Sequence, residues 1–359
     1  MMPKLIDIFD AKNIGAYYEA MKAEIPTDSH VLSKFPNQRT PGLQLSWIKG
    51  YNDVPVALQP SAFDTKASVR DRIGIAKIIT EMPFFREAMR IGELERQELL
   101  TTLQAAPDLA KPMILRLYDD AKNLIDGAIV QARRMACSVL QTGTIAVAAG
   151  DTTGRTAAYD YNYDPNGKWA ASNKKTLAAG AKWTEGNKAN SNPIKDLLEA
   201  KRIMRLKGVL VSEVIMNSET FEGMIASESI AKAMNPVGAA NIIVTDEEAK
   251  RFIEQKTGLR IYIEDGIFKD ENKVERYYLD TGYVILAPAG PLGRMHYGVT
   301  PEEYDLRTGN TAASVQVVGG GIAVTTYVEP HPVNIQVYAS AIILPSFEAM
   351  DRVYTLKVQ

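Results

Sequence analysis

The chain has 359 residues, of which 46% are hydrophobic and 23% are charged, close to the average for globular proteins. This composition excludes wholesale disorder, collagen-like repeats and a coiled-coil rod. The 41 basic and 43 acidic side chains nearly cancel, and a formal net charge of -2 disfavours avid binding of nucleic acid. Because the length exceeds the usual limit for one hydrophobic core, we expect two domains or one elaborated fold.

Neither secretion nor membrane insertion is expected from the sequence. No N-terminal segment combines a charged start, a long apolar run and a cleavage site, and no apolar run reaches about eighteen residues. The single cysteine, Cys137, lies in an apolar-periodic run, where a buried structural thiol is more common than a nucleophile. We therefore expect the chain to fold in a reducing cytoplasm.

The first forty residues predict an arm. A short helix over residues 11–22 follows Asp10 as its cap, and three prolines punctuate the stretch after it, at Pro26, Pro36 and Pro41. Since the arm has few apolar residues of its own, it needs another surface to cover.

The next segment predicts a long hairpin with a polar tip. Apolar residues alternate before a turn at residues 50–53 and return after it, at Leu43, Leu45, Trp47, Ile73, Ile75 and Ile78. Lys66, Arg70 and Arg72 crowd the middle of this segment. These basic side chains favour two interpretations equally: a solvated strand face, or a docking contact with a neighbouring molecule.

Helical periodicity then dominates. A helix is predicted from Glu93 to Gln104, and a longer one over residues 112–140. In the longer helix, apolar residues recur every three or four positions almost without exception. Asp108 and Pro112 supply start signals, and Gly143 supplies a stop signal. At about 1.5 Å per residue this helix is about 43 Å long. A rod of this length is typical of a wall-like subunit.

Strands and helices alternate in the remainder of the chain, which has no internal repeat of fixed period. A strand pair and a long loop are predicted over residues 144–188, with Tyr159, Tyr161 and Tyr163 alternating. Asn192 caps a helix over residues 193–206, and a capping box at Thr245 opens a helix that ends near Gly258. Further helix is predicted at 218–233, a hairpin at 266–280, and strands at 209–216, 260–263, 283–286, 311–328, 333–344 and 353–358.

No established catalytic motif is present. The chain has three histidines and lacks HExxH, paired CxxC, GxSxG and Walker patterns. The glycines at 319–321 lack the spacing and the following strand-helix pattern of a dinucleotide-binding site. They favour a β-bulge or a tight crossing of strands. The acidic pairs at 119–120 and 247–248 favour solvated helix faces over acid-base chemistry. We predict no catalytic residue, no metal ligand and no cofactor.

Aromatic and basic residues around 169–183 suggest one alternative. Trp169 and Trp183 could stack on bases beside Lys174, Lys175 and Lys182, although aromatic packing within a long loop is the more common use. By elimination, the residues alone indicate an interaction or structural protein.

Several short motifs resemble the major capsid protein of tailed bacteriophages, in its lambda-type branch, the phage capsid protein E family. Trp183-Thr-Glu-Gly-Asn187, followed by Asn192-Pro-Ile-Lys-Asp-Leu-Leu-Glu-Ala200, resembles a tryptophan loop that leads into a proline-initiated helix. The stretch from Tyr283 to Gly293 and the closing strands from Ala341 to Val358 are also similar to that branch. The order of arm, hairpin, long helix, α/β unit and returning strands carries more weight than any single motif.

The resemblance implies an α+β fold of the Hong Kong 97 type. It would divide the chain into an N-terminal arm at 1–42, an E-loop hairpin at 43–82 and a peripheral domain at 83–192 with the spine helix at 112–140. An axial domain at 193–297 would follow, and 298–359 would return to the peripheral domain and supply the closing strands.

The resemblance also implies a function. The protein would be a structural head protein and not an enzyme, and it would assemble as hexamers and pentamers into an icosahedral shell that expands on maturation. Its partners would be itself, a separate scaffolding protein, a portal, a decoration protein in some phages, and packaged double-stranded DNA bound without sequence specificity. It would lie in the virion, and in the host cytoplasm during assembly.

Inter-subunit contacts are expected at Trp47, Lys66, Arg70 and Arg72. No lysine and asparagine match the isopeptide bond of some relatives, so no covalent crosslink is expected. Two alternatives remain: an encapsulin-like nanocompartment shell, which shares the fold but packages proteins, and a metal-dependent hydrolase that uses scattered carboxylates.

Overall fold

The computed structural model describes residues 8–24, 29–49, 76–150, 156–235, 245–270, 273–306, 313–331 and 333–359. In chain order, its α-helices are α1 Ala11–Glu24, α2 His30–Ser33, α3 Glu93–Ala105, α4 Pro107–Thr142, α5 Lys168–Asn173, α6 Pro193–Leu206, α7 Ser218–Ile225, α8 Glu228–Met234 and α9 Asp246–Thr257. Strands β1 to β9 are Asn37–Arg39, Gln44–Lys49, Ala76–Glu81, Phe84–Ile91, Thr144–Gly150, Thr156–Asn162, Lys174–Thr176, Glu213–Met216 and Arg260–Ile263. Strands β10 to β17 are Ile267–Lys269, Glu275–Tyr277, Tyr283–Ala287, Met295–Tyr297, Ser314–Val318, Ile322–Pro330, Val333–Pro345 and Tyr354–Lys357.

The first large sheet has the order β1-β13-β16-β15-β14, and β4 also pairs with β16. Its central strand β16 runs over 13 residues, which is long enough to pair with β13 near one end and with β4 and β15 over much of its length. The glycines at 319–321 connect β14 to β15, and Gly319 and Gly320 adopt the positive φ that this tight turn requires. Helix α4 packs on this sheet and completes the main hydrophobic core.

The second sheet has the order β7-β17-β12-β8-β9. Successive strand residues point to opposite faces, so Val214 and Val284 join the core beneath helices α6, α7 and α9. Ile215 and Ile285 face the other way and join the core around helix α4. The long helix therefore contributes to one core that reaches both sheets.

Helix α4 is longer than the periodicity predicts. It begins at Pro107, and 36 residues at about 1.5 Å each make it about 54 Å long. Pro112, which the sequence suggested as a start signal, lies inside the helix. A proline cannot donate the backbone hydrogen bond of a helix. The burial of Ala110 and Leu117 in a core with helix α3 offsets the stability lost in this way. The predicted end is confirmed, because Gly143 is left-handed and its N–H bonds to Val139.

Two other capping predictions are confirmed. The Asn192 side chain accepts a hydrogen bond from the Lys195 N–H at the start of helix α6. The capping box between Thr245 and Glu248 is present, and Gly258 ends helix α9 in the left-handed conformation. Local hydrogen bonding of this kind is readable from sequence because each partner lies within a few residues of the other.

Two sequence predictions differ from the structure. The helix expected over 218–233 is two helices, since Ser227 lies between them and its buried hydroxyl bonds to Ser191. The strand expected over 209–216 begins at Glu213, because the Val209 N–H bonds back to helix α6. Strand β7 and the closing strand β17 both belong to the second sheet.

The arm packs on its own subunit. On helix α1, Ile14 and Tyr18 are each only 1% exposed and contact the core beside strands β14 and β15. The surface that the arm was expected to need is therefore supplied within the chain. No helix among the described residues is long and apolar enough to cross a membrane.

Candidate assembly site

The predicted hairpin has a well-defined base. Strands β2 and β3 pair antiparallel from Gln44 opposite Glu81 to Lys49 opposite Ala76, and neither pairs with any other described strand. Alternation places Leu45 and Trp47 on the face toward the core. The Trp47 ring lies 5.6 Å from the Tyr163 ring. The turn at 50–53 and the apolar positions 73 and 75 lie outside the described residues.

Of the four predicted contact residues, Trp47 is the one that lies among the described residues. Lys66, Arg70 and Arg72 lie outside the described residues. The Trp47 side chain is only 6% exposed, so it packs within its own subunit and leaves little surface for a neighbour. Any contact by Trp47 with another subunit stays a prediction, and it would involve mainly the strand backbone.

Residues 29–39, here called the strap, connect the two large sheets. The strap contains helix α2 and strand β1, and β1 pairs parallel with β13 at the edge of the first sheet. Ser29 caps helix α2 by accepting a hydrogen bond from the Leu32 N–H. At the other end of α2, the Lys34 carbonyl accepts the N–H groups of residues 292 and 293. The strap is thus fixed to both sheets by hydrogen bonds.

Glu264 joins the strap to the second sheet and the long helix. Its side chain is fully buried, and it follows the last residue of strand β9. It accepts hydrogen bonds from Ser29 Oγ at 2.8 Å, from the Val31 N–H at 3.3 Å and from Arg133 Nε at 2.7 Å. A buried carboxylate is tolerated only when it is paired and hydrogen-bonded, and these three donors meet that requirement.

A second carboxylate, Glu213, binds the other side of helix α2. His30 Nε2 lies 2.9 Å from Glu213 Oε2, and the buried Lys34 ammonium also pairs with this carboxylate. The His30 ring stacks on Tyr262, with ring centroids 3.5 Å apart. Burial by itself raises the pKa of Glu213, but hydrogen bonds and positive charge from Lys34 and His30 outweigh it and hold that pKa below its usual value.

The Glu213→Gln variant is expected to be destabilised by about 3 kcal/mol at neutral pH, because the buried Lys34 ammonium would lose the negative charge that compensates it and keep only neutral acceptors such as the Pro288 carbonyl. A carboxylate with a lowered pKa stabilises the fold above its unfolded pKa, about 4.3, and this contribution is lost as the pH falls through the folded value. The difference between wild type and variant in the free energy of unfolding should therefore shrink as the pH falls from 7 to below the unfolded pKa. Urea titration at each pH measures it, and a constant difference would contradict the assignment.

A family model described as phage major capsid protein E matches residues 48–358. The chain belongs to this family. A comparison with curated proteins gave no match. Among solved structures, a protein assigned as a prophage capsid protein from E. coli CFT073 is similar, with 15% identity, a TM-score of 0.52 and coverage of 79% of this chain and 80% of that chain. A phage-related protein from Bordetella bronchiseptica RB50 has 12% identity, a TM-score of 0.51 and 97% coverage of both chains.

The expected fold class is confirmed: this capsid protein has mixed helices and strands in a Hong Kong 97-type fold. Membership of the family makes it a structural protein of the phage capsid shell, and assembly as hexamers and pentamers is typical of such proteins. The hairpin and the strap are then candidate elements of a shell subunit.

The cysteine and the two tryptophans for which nucleophilic chemistry or base stacking was considered have structural roles in the capsid protein. Cys137 is buried, and burial raises the pKa of its thiol well above the usual value. Trp169 and Trp183 are fully buried and donate hydrogen bonds to the Val353 carbonyl and to Asp196, which confirms the packing interpretation. No group of three or more His, Cys, Asp or Glu residues able to hold a metal was found among the described residues.

Sequence reasoning missed the two carboxylates of the capsid protein that bind the strap. Glu213 and Glu264 each interrupt or end an apolar strand pattern, at positions where a charged side chain is rarely buried unless it is paired. This signal marks them as candidates for buried ion pairs. Their partners in the strap are more than 180 residues away in sequence, and no local pattern identifies them.

Proposed function

We propose that the subunits form hexamers and pentamers that close as a precursor shell, and that this shell expands as double-stranded DNA enters. The observation that carries the proposal is the ribbon of strands β2 and β3, which pairs with no other strand among the described residues, within a chain of the capsid family. A two-stranded ribbon has unpaired backbone groups along both outer edges. A neighbouring subunit in a closed shell can cover such edges.

The wider set of partners belongs to the same proposal. Separate scaffolding and portal proteins would direct assembly in the host cytoplasm, and a decoration protein is an optional partner. The near-neutral charge of the chain fits a wall that encloses DNA without sequence-specific binding, since packaged DNA brings its own counterions. The subunit would act without catalysis.

Sedimentation of the purified protein tests this function first, with negative-stain microscopy of the fastest fraction. Closed particles, hexamers or pentamers are expected, and enclosed DNA would separate a phage head from a protein-filled nanocompartment. A stable monomer that a scaffolding protein does not change would contradict the proposal.

Expansion is expected to change hydrogen exchange at residues 43–80, because the hairpin would move from one packing to another. Precursor and mature shells should be compared by mass spectrometry, with the central strand β12 as an internal control whose protection stays constant. Unchanged exchange at residues 43–80 would contradict the proposed movement.

We also expect mature shells to lack covalent links between subunits. After boiling and reduction, the shells should give one band of monomer mass on a denaturing gel. A ladder of multiples of that mass would show an inter-subunit crosslink and overturn this prediction.

A further inference from the structure

Two exposed patches of opposite charge lie at opposite ends of strand β8. The first, the basic groove, is a cavity of about 470 Å³ between helix α6 and residues 209–211, which precede β8. Of the residues that line it, Leu198, Arg202, Arg205 and Leu210 are exposed, and the exposed Leu206 follows Arg205 at the end of helix α6. Leu206 and Leu210 are 71% and 72% exposed, so both present apolar surface to solvent.

The groove presents positive charge together with apolar surface. Residues 198, 202, 205 and 206 share one helix face, because residues three and four apart are neighbours on a helix. The nearby Lys201 is held by the carbonyls of residues 257 and 258. Arg202 and Arg205, in contrast, have no ion pair with any described residue. Two guanidinium groups and three leucines are thus available to a partner.

The second patch, the acidic patch, follows strand β8. It consists of the apolar pair Ile267 and Tyr277 and the carboxylates Glu219, Glu222 and Asp265. Ile267 lies directly opposite Tyr277 in the β10–β11 hairpin, so the two side chains share one face, and Ile267 is 56% exposed.

The three carboxylates lie close together around Tyr277. The Tyr277 hydroxyl donates a hydrogen bond to Glu219 at 3.2 Å. This bond, and the negative charge of Glu219, Asp265 and Glu222, raise the pKa of Tyr277. None of the three carboxylates forms an ion pair within the described part of the chain.

We infer that the basic groove of one subunit receives the acidic patch of the next subunit, a second copy of this chain. Two arginines would face three carboxylates, and three leucines would cover Ile267 and the Tyr277 ring. Because the patches differ and lie at opposite ends of β8, the contact is head-to-tail, and such contacts close into rings when the rotation permits. The inference rests on the proposed hexamers and pentamers and adds the surfaces that join their members.

A second copy accounts for both patches, whereas other occupants account for one. Nucleic acid would suit the two arginines but would be repelled by the acidic patch and would leave the leucines exposed. An acidic protein partner in the groove would leave the acidic patch without a role. Self-association satisfies the charge and the apolar surface of both.

Cysteine crosslinking in assembled shells tests the contact directly. The pairs Leu206→Cys with Ile267→Cys and Leu210→Cys with Ile267→Cys should give ladders up to five or six subunits on non-reducing gels after oxidation. The matched control Leu109→Cys with Ile267→Cys uses an equally exposed leucine near the start of helix α4 and should stay monomeric. Absence of a ladder from both test pairs, or a link to a different protein, overturns the inference.

Charge reversal supplies the second test. R202E/R205E should lower the yield of shells about tenfold or more, since like charges would face each other, and adding Glu222→Arg should restore part of the yield. The control K12E/K168E makes the same change in net charge at two exposed lysines on other helices and should assemble normally. Normal assembly of R202E/R205E, together with absent crosslinks, would refute this contact while the proposed function stands. Failure of the wild-type protein to assemble, with or without a scaffolding protein, would instead refute the proposed function.

Discussion

The Glu264→Ala variant is expected to lose about 3–5 kcal/mol of stability, because removal of one partner leaves a buried charge uncompensated. Arg133 is the charge in question: its side chain is 17% exposed and its guanidinium lies over the Tyr278 ring at 4.3 Å. The Arg133 side chain packs closely on Gly266: a Cβ atom added to Gly266 would lie 2.4 Å from Arg133 Nη2. Arg133 therefore has little freedom to turn toward solvent. Ser29 Oγ and the Val31 N–H would lose their acceptor as well.

Urea denaturation of unassembled subunits measures this loss without a contribution from assembly. The control is Glu199→Ala, which breaks the exposed ion pair with Lys175 and should cost less than about 1 kcal/mol. Glu264→Gln keeps one acceptor oxygen and the side-chain volume, and should fall between the two. Equal stability of Glu264→Ala and Glu199→Ala would show that the strap does not depend on this carboxylate.

The loss should also affect assembly. The strap connects the second sheet and the long helix to the edge of the first sheet, and Glu264 contacts two of these elements as well as the strap itself. A subunit without this carboxylate would hold its two sheets in a less fixed orientation. We expect Glu264→Ala to give fewer regular shells than Glu199→Ala at equal protein concentration.

The sequence predicted those elements whose signals are local. The end of helix α4 at Gly143, the Asn192 cap and the capping box at Thr245 all depend on partners within four residues. The hairpin at 266–280 is also present, because alternation and turn residues fix it over a short distance. The glycines at 319–321, for which a bulge or tight strand crossing was expected, instead form the turn between strands β14 and β15. Local rules of this kind required no knowledge of the tertiary fold.

Predictions failed where tertiary contacts decide the outcome. Helix α4 begins five residues before Pro112, because burial of Ala110 outweighs the defect that the proline introduces. The break in the helix predicted at 218–233 depends on a hydroxyl pair between Ser227 and the distant Ser191. Neither contact leaves a periodic pattern in the sequence.

The candidate assembly site was predictable in outline only. Alternation located strands β2 and β3, but it gave no means to tell that Trp47 packs on Tyr163 of the same chain. The buried carboxylates of Glu213 and Glu264 have a weak local signal, which is a charged residue within an apolar run. Their partners in the strap are distant in sequence. The basic groove was missed because its leucines continue an apolar pattern, and a pattern does not reveal which of its residues remain exposed.

The Gly293→Ala variant is expected to lose about 3 kcal/mol or more, at the upper end of the cost of overpacking. An added Cβ would lie 1.9 Å from the Ser346 carbonyl oxygen and 3.1 Å from a ring carbon of Phe35. The obstacle is backbone, which cannot withdraw as a flexible side chain can. Pairing of Met295 with Pro345 holds the two segments together next to this contact. The strap, which passes here at Phe35, would be displaced with the loop.

The matched control is Gly180→Ala, because an added Cβ there meets no atom within 4 Å. Its stability should stay within about 0.5 kcal/mol of wild type, as for most surface substitutions. Urea denaturation of both variants gives the comparison, and shell yield gives a second measurement for the strap. If Gly293→Ala were as stable as Gly180→Ala, the loop would have to lie farther from Ser346 than the structure places it, and the strap would be less tightly fixed. The Gly293 and Glu264 variants therefore both test how the strap is held on the two sheets. Gly293→Ala tests it through packing, and Glu264→Ala tests it through charge.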